Sequence, residues 1–361
     1  MTGSVPIDAI VRHWNKSAGA EVPVHADRLI VVMSNYNDRA HIEESLCSIL
    51  AQLTDGIALL FIDDGSNDDS IGVARACLYN ETRATILENP GNQGVVASYN
   101  AALRMVDAPY IYFASANDRI AEGFLCRVLR MLRQRPSAGL GSALTQRISM
   151  DGSPLDVMRT ALPSCKPTYL PPREVTRLLI RQGAWIVGCS TIYRTEALRQ
   201  VGGFDPALHG ATDSVAATRI ALAHGVCFLP RIGAYWRVSE GGYASRGLRD
   251  AAMVQDILRA GTGAYARIQG GSSKTLLDFW RRELAFWHLR ATRDAATPPL
   301  ATLAQEIEVG SWRVRLLNWR RPKILWTAAA ILLLAPFKVG QAFRRRLRWR
   351  GLAERDLAAG A

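Results

Sequence analysis

Short apolar runs alternate with amphipathic segments between residues 28 and 141. Each amphipathic segment has apolar residues at helical spacing, as in Ile42, Leu46 and Ile49. Parallel strands need such crossover helices between them. The pattern therefore predicts an α/β fold, with a mostly parallel sheet flanked by helices. The four runs that predict its strands are LIVVMS, IALLFI, ATILEN and YIYFA.

The remaining chain divides into segments of different character. Residues 1–27 are an N-terminal extension with one possible short helix, IDAIVRHW. We expect one domain over residues 28–246, with halves at 28–141 and 142–246. Residues 247–310 are amphipathic and predict a helical C-terminal region, and residues 311–361 form a basic amphipathic tail.

Composition narrows the class of protein. The chain has 361 residues, of which 48% are hydrophobic, as expected of a globular protein. Its six cysteines form no C-x-x-C pair, so a disulfide framework or a zinc site is not expected. The first residues lack the basic and apolar regions of a secretory signal. We therefore expect a cytoplasmic protein.

The net charge of +12 is concentrated in the tail, where Arg313–Arg350 contains eleven Lys or Arg and no acid. Within it, Ile324–Phe337 is apolar over 14 residues, whereas a bilayer span needs about 20. Basic residues and tryptophans flank this run. We expect peripheral attachment to the cytoplasmic face of a membrane, with a true span or a packed helix as alternatives. The long aliphatic stretch disfavours nucleic acid as the partner.

Polar turns follow all four strands, and the carboxyl ends of parallel strands meet at the edge where ligands bind. The chain has neither the G-x-G-x-x-G of dinucleotide folds nor a P-loop. Acidic strand ends instead suit a divalent cation that bridges a diphosphate, with hydrogen bonds to a base and a ribose. The turns are SNYND, DDGSND, NPGNQG and SAND.

These motifs, in this order and spacing, resemble the nucleotide-binding half of family 2 inverting glycosyltransferases, which have the GT-A (Rossmann-like) fold. The resemblance covers Arg28–Gly141 and continues more loosely to Arg246 through GGFDPAL. It implies a nucleotide-diphosphate sugar donor, a glycan or lipid-linked acceptor hydroxyl, and a role in polysaccharide or surface-glycan biosynthesis.

The resemblance also implies roles for residues at the strand ends. Asp64 would accept a hydrogen bond from the base, with Asp63 beside it, and Asn117 would contact the ribose. Helix capping by the two aspartates and a plain glycine-rich turn at Asn92 are the alternatives. The implied nucleotide-binding residues are Ser34, Tyr36, Asn37, Asp63, Asp64, Asn92, Gly94 and Asn117.

The metal motif of the family usually has three acids, but here it consists of Ser115, Asn117 and Asp118. Only Asp118 can contribute a carboxylate. Mg²⁺ is commonly held by one or two carboxylates together with substrate phosphates. We therefore expect Mg²⁺ or Mn²⁺ to bind with the nucleotide at Asp118. A structural loop aspartate is the alternative.

The acceptor half would supply the catalytic base. The acidic pair of the family corresponds to Thr212 and Asp213, so Asp213 is the predicted general base, with an N-cap as the alternative. Arg219, Arg237 and Arg246 would contact the diphosphate, since arginine suits bidentate phosphate binding. Solvated surface arginines are the alternative.

Two other functions compete with this reading. The reduced acidic motifs also fit a degenerate, non-catalytic relative that binds nucleotide or glycan as a scaffold. A sugar-phosphate nucleotidyltransferase would have a similar sheet, but it would need a glycine-rich phosphate loop after the first strand. SNYND is not such a loop.

Overall fold

The computed structural model describes residues 6–18, 24–158, 160–239, 249–268 and 273–291. Its strands are β1 (Val24–His25), β2 (Leu29–Asn35), β3 (Ile57–Asp63), β4 (Ala84–Glu88), β5 (Val106–Asp107), β6 (Tyr110–Ser115), β7 (Arg119–Ile120), β8 (Leu140–Ile148), β9 (Pro154–Val157), β10 (Thr168–Leu170), β11 (Thr191–Arg194) and β12 (Val226–Arg237). Its α-helices are α1 (Ile7–Ala18), α2 (Ile42–Leu50), α3 (Ser70–Leu78), α4 (Val95–Met105), α5 (Phe124–Gln134), α6 (Pro172–Gln182), α7 (Thr195–Gln200), α8 (Thr212–His224), α9 (Ala251–Ala266) and α10 (Ser273–Ala291).

The main sheet has the strand order β10-β12-β8-β11-β6-β2-β3-β4. The four predicted strands form its parallel part, in which β2 pairs with β3 and β6, and β3 pairs with β4. β11 lies antiparallel between β6 and β8, while β8 and β12 run parallel to each other. The predicted α/β class and mostly parallel sheet are confirmed.

Helices cover both faces of the sheet, and the strand side chains alternate between two apolar cores. Along β2, Ile30 and Val32 belong to one core, whereas Leu29, Val31 and Met33 belong to the other. Because successive side chains of a strand point to opposite faces, a strand buried on both sides must be apolar at every position. This requirement explains the continuous apolar runs in the sequence.

The N-terminal extension takes part in the core. Ile10 and Trp14 of α1 are buried in the core that contains Ile30 and Val32, and α1 packs against α4. The predicted helical region contains α9 and α10, which pack against each other. The basic tail, residues 311–361, lies outside the described residues. Among the helices the structure describes, none has the length and hydropathy to cross a bilayer.

Candidate active site

The turns after the parallel strands are bound to one another through Asp63. Its carboxylate accepts hydrogen bonds from Asn35 Nδ2 at 2.7 Å and from the amide of Ser66 at 2.9 Å. Ser66 Oγ in turn accepts from the amide of Asn37 at 3.1 Å. Asp63 is 3% exposed. It therefore joins the first two turns and does not face solvent.

Asp64 joins the second turn to the third. Its Oδ1 accepts from Asn89 Nδ2 at 2.6 Å and from the amide of Gln93 at 2.9 Å, and its Oδ2 accepts from the amide of Gly94 at 2.8 Å. Burial raises the pKa of Asp64, and these hydrogen bonds oppose the rise. The carboxylate thus holds the loop that leads into α4. The predicted contact with a base stays a prediction.

The residues expected to meet the base lie at the solvent-facing edge of the same turns. Tyr36 is 44% exposed, Asn37 and Asn92 are exposed, and Ser34 is nearly buried beneath them. Gly94 has a φ of +87°, which favours glycine, and no atom lies within 4 Å of where a Cβ would be. The structure therefore leaves open space at the start of α4, where a nucleotide could approach.

Asp118 stands at the carboxyl end of β6, as the motif predicts. Its Oδ1 accepts from the amide of Arg237 at 2.8 Å, and its side chain is partly exposed. Burial raises its pKa to about 7, although the bond to Arg237 and the charge of Arg237 lower it. Beside it, Ser115 Oγ donates to Asn117 Oδ1 at 2.6 Å. A carboxylate with this pKa would gain from a neighbouring cation.

Arg237 has a different environment from the one expected of a diphosphate ligand. Its side chain is 1% exposed. Nε donates to the carbonyl of Asn117 at 2.8 Å, Nη1 to the carbonyl of Met150 at 2.7 Å, and Nη2 to Glu44 at 2.5 Å. Every guanidinium nitrogen therefore has a protein acceptor. The guanidinium is buried and bound to protein oxygens, which favours a role in holding the turns around Asp118 together, and its contact with a diphosphate stays a prediction.

A second carboxylate near Asp118 comes from Asp38, which was not among the predicted site residues. Burial raises the pKa of Asp38 to about 6, and the charge of Asp68 adds to the rise. The charge of Asp38 in turn raises the pKa of Asp118. Asp38 lies within SNYND, so the motif contained the signal. The two carboxylates, from different turns, are therefore close enough to interact electrostatically.

Asp38 and Asp118 together could supply only part of the ligand set of a metal ion. The described part of the chain contains no group of three or more His, Cys, Asp or Glu residues that could hold an ion. Two carboxylates with substrate phosphates and waters can complete the octahedron that Mg²⁺ prefers. Asp38 and Asp118 thus fit a cation that arrives with a diphosphate better than one bound by protein alone.

Asp213 lies in the first turn of α8, and its carboxylate faces Gly188 in the 3₁₀ turn Gly188–Ser190. A Cβ at Gly188 would lie 2.0 Å from Asp213 Oδ2, so only glycine fits there. The N-cap of α8 is Ala211 and no side chain caps the helix, so the N-cap alternative for Asp213 is wrong. Asp213 Oδ1 instead accepts from the amide of the next residue, Ser214, at 2.6 Å. Burial raises the pKa of Asp213, and amides including that of Gly188 oppose the rise.

Asp118 and Asp213 come from different halves of the domain, but their charges raise the pKa of the same two side chains, Tyr99 and Cys189. Burial raises the pKa of the Tyr99 hydroxyl, and both carboxylates add to the rise. Burial likewise raises the pKa of the Cys189 thiol, with the same two carboxylates contributing. Tyr99 donates to the carbonyl of Ala114 at 2.8 Å. The 3₁₀ turn Gly188–Ser190 contacts both β6 and α8, so the expected metal ligand and the expected base come from elements packed against the same turn.

Arg219, another of the predicted diphosphate ligands, has its own set of partners. Arg219 donates to the carbonyl of Val201 at 2.8 Å. Burial lowers its pKa, as does the charge of Arg267, while Asp205 raises it. These partners belong to the segment after α7 and to the end of α9, and the diphosphate contact of Arg219 stays a prediction. Arg246 lies outside the described residues.

Curated proteins with similar sequences match parts of the chain. An uncharacterized glycosyltransferase of Haemophilus influenzae is 32% identical over 104 residues, which cover 29% of this chain and 42% of the relative. The putative teichuronic acid biosynthesis glycosyltransferase TuaG of Bacillus subtilis is 25% identical over 126 residues, or 35% of this chain and 50% of the relative. The chain thus spans about half the length of these relatives.

Solved structures with the same fold cover most of the chain. Staphylococcus aureus TarS 1–349 in complex with UDP-GlcNAc has a TM-score of 0.61 at 15% identity, over 88% of this chain and 92% of TarS 1–349. The mannosyltransferase PcManGT of Pyrobaculum calidifontis, in complex with GDP-Man and Mn²⁺, has a TM-score of 0.53 at 20% identity, over 93% of this chain and 95% of PcManGT.

A protein-family model also matches part of the sequence. The model described as "Glycosyl transferase family 2" matches residues 30–202. These residues contain all of the four predicted parallel strands except Leu29, together with Asp63, Asp64 and Asp118. Residues 30–202 are therefore identified as a glycosyl transferase family 2 domain, and the sheet order and the structural matches show that the chain has the GT-A fold.

Proposed function

We propose that this protein transfers a sugar from a nucleotide-diphosphate donor to an acceptor hydroxyl, with inversion at the anomeric carbon. The observation that carries the proposal is that Asp118, after β6, and Asp213, in the first turn of α8, come from two elements that both contact the 3₁₀ turn Gly188–Ser190. An inverting transfer needs a base on one side of the reacting carbon and charge stabilisation for the leaving group on the other. Two acids from the two halves of the domain supply this pair of functions.

The donor would occupy the turns at the carboxyl edge of the parallel strands. Tyr36, Asn37 and Asn92 offer exposed polar groups for the base, and Asn117 offers an amide for the ribose. Asp118 and Asp38 would hold Mg²⁺ or Mn²⁺ together with the diphosphate. The bound cation would neutralise charge that develops on the leaving diphosphate. PcManGT, with bound GDP-Man and Mn²⁺, is a relative in fold that supports this arrangement.

Asp213 would act as the general base. Its carboxylate would take the proton of the acceptor hydroxyl as the acceptor oxygen forms a bond to the sugar C1. The bond between C1 and the phosphate oxygen would break, and the electron pair would leave with the nucleoside diphosphate. A raised pKa makes Asp213 a stronger base. Gly188 leaves the carboxylate free of a neighbouring side chain on that side.

The acceptor is proposed to be a glycan or a lipid-linked glycan of the cell surface. TuaG, whose name places it in teichuronic acid biosynthesis, supports this class of acceptor. A mainly apolar cavity of about 250 Å³ also lies beside Ser214, the residue after Asp213. It is lined by Leu179, Ile257, Phe279, Trp280 and Leu284 among others. Such a cavity suits an acceptor with an apolar part.

A cytoplasmic location at the inner face of the membrane is a further part of the proposal, and it rests on the sequence of the tail alone. Anionic and neutral phospholipid vesicles would test it by co-sedimentation of the full chain and of a variant with Arg344, Arg345 and Arg346 replaced by glutamine. We expect the full chain to bind anionic vesicles and the variant to bind them more weakly. Equal binding to both vesicle types would contradict the electrostatic attachment.

The enzymatic proposal is tested by release of nucleoside diphosphate from UDP-sugars and GDP-sugars, with Mn²⁺ and a cell-surface glycan and lipid extract as acceptor source. We expect the wild type to release one of the two nucleotides. Asp213→Asn should release it about 10²–10⁴-fold more slowly, while binding the nucleotide equally well. Nucleotide binding without release by the wild type would favour the scaffold alternative, which the replacement of acids by Ser115, Asn117 and Thr212 supports.

A further inference from the structure

The N-terminal helix α1 is built into the nucleotide-binding half although it precedes the matched family region. Trp14 is fully buried, and Ile10 is 2% exposed in the same core. At the surface, Asp8 of α1 forms an ion pair with Arg104 of α4. The helix therefore packs against α4, the helix whose start leaves open space for the nucleotide.

Trp14 also makes a directed contact with the turns. Its indole Nε1 donates to Asn89 Oδ1 at 2.8 Å, across 75 residues of sequence and in a buried position. The amide of Asn89 donates through Nδ2 to Asp64 Oδ1 at 2.6 Å and to Ser98 Oγ at 2.9 Å. An indole N–H can only donate, and an ionised carboxylate can only accept. These two partners fix which way the Asn89 amide faces.

Asp64 connects Asn89 to the loop before α4 by hydrogen bonds. Its two carboxylate oxygens accept from the amides of Gln93 and Gly94 at 2.9 and 2.8 Å. The hydrogen bonds therefore form a continuous buried chain from Trp14 through Asn89 and Asp64 to the start of α4. A rotation of the Asn89 amide would leave both the indole N–H and the carboxylate facing the wrong group.

We propose that Trp14 is a positioning residue for the nucleotide, which it aligns through Asn89 and Asp64 and not by direct contact. The inference rests on the proposed function, because the loop at Gly94 is taken to face the donor. Losing the indole N–H would leave Asn89 Oδ1 buried without its donor, and such a group tends to find another arrangement. The loop amides of Gln93 and Gly94 would then lose their fixed placement.

The variant that tests this is Trp14→Phe, which keeps a buried aromatic ring and removes the N–H. We expect the dissociation constant for UDP or GDP with Mn²⁺, measured by calorimetry, to rise about tenfold. In the nucleotide-release assay, the KM for the donor should rise similarly and kcat should stay within about twofold. A merely structural role would lower the unfolding temperature and leave the affinity of the folded protein unchanged.

Trp185→Phe is the matched control. Trp185 is buried in the same core at 2% exposure, but its indole N–H has no hydrogen-bond partner among the described residues. We expect its nucleotide affinity to equal that of the wild type. If Trp14→Phe and Trp185→Phe bind nucleotide equally well, the proposal is wrong, although the proposed function stands. If the wild type binds neither UDP nor GDP, both proposals fail.

A double-mutant cycle separates the hydrogen-bond chain from a general effect of weakened packing. Asn89→Ala removes the middle of the chain and should itself weaken nucleotide binding. Adding Trp14→Phe to Asn89→Ala should then weaken it no further, since residues that act through one another give non-additive effects. Fully additive losses of affinity would show that Trp14 acts by another route and would overturn the proposal.

Discussion

Replacing Asp118 by asparagine should have two opposite effects. The buried negative charge destabilises the folded protein when no cation is bound, but a bound cation would need that charge. Asparagine keeps the shape of the side chain and an oxygen that can accept from the amide of Arg237. It removes only the negative charge. We expect the variant to be more stable than the wild type without ligand, and to lose the metal-dependent binding of nucleotide.

The size of the first effect follows from the pKa of Asp118, which burial raises from 3.8 to about 7. Because the folded-state value is the higher one, the ionised carboxylate destabilises the fold as the pH rises toward 7. About 1.4 kcal/mol for each pH unit between the two values gives an upper limit of ~4 kcal/mol. The side chain is partly exposed, so solvent screening reduces this gain to about 1–2 kcal/mol at pH 8.

The assay is equilibrium urea unfolding of both proteins between pH 4 and pH 8. The difference between their free energies of unfolding should be smallest at pH 4, where Asp118 is protonated in the folded chain and about half ionised in the unfolded chain, and it should grow as the pH rises toward 7. Asp69→Asn, at a carboxylate whose side chain is 79% exposed, is the control and should show no such divergence. An Asp118→Asn variant less stable than the wild type at pH 8 would refute the reasoning.

Three further changes test the site. Asp213→Asn should lower kcat by about 10²–10⁴-fold at unchanged nucleotide affinity; kinetics and calorimetry measure both, and a loss of affinity instead would contradict its role as a base. Gly188→Ala should also lower kcat, because its Cβ would lie 2.0 Å from Asp213 Oδ2, and an unchanged kcat would mean that this placement is unimportant. Arg237→Met should reduce the free energy of unfolding by about 2 kcal/mol or more, since it removes four hydrogen bonds to protein oxygens. Arg147→Met, which breaks an exposed ion pair, should cost less than about 1 kcal/mol by the same urea assay. Equal losses in the two variants would show that the buried hydrogen bonds of Arg237 add no more stability than an exposed ion pair.

The parallel part of the sheet could be predicted from the sequence because its signal is local. In β2, every residue from Leu29 to Asn35 is buried, and the apolar run marks this directly. The motifs after the strands also predicted that Asp118 follows the carboxyl end of β6, because the topology alone brings the strand ends together. These features need no knowledge of contacts between distant residues.

Side-chain directions in the turns and contacts across the fold could not be predicted in this way. Asp38 follows Asn37, whose φ of +57° turns the chain in the left-handed region, and sequence alone does not specify that turn. The acceptors of Arg237 lie at Glu44, Asn117 and residues 149–150, far apart in the chain. The sequence therefore predicted a diphosphate contact for Arg237 and could not reveal that its guanidinium pairs with Glu44.

The central claim is that one cleft binds a nucleoside diphosphate through a cation at Asp118, and calorimetric titration tests it most directly. UDP and GDP would be titrated into wild type and Asp118→Asn, each with Mn²⁺ and with EDTA. The account predicts that wild type binds one of the two nucleotides with Mn²⁺, and that either EDTA or the substitution abolishes or greatly weakens the binding. Equal affinity in all four conditions would contradict the account, because the nucleotide would then bind without the cation or the carboxylate.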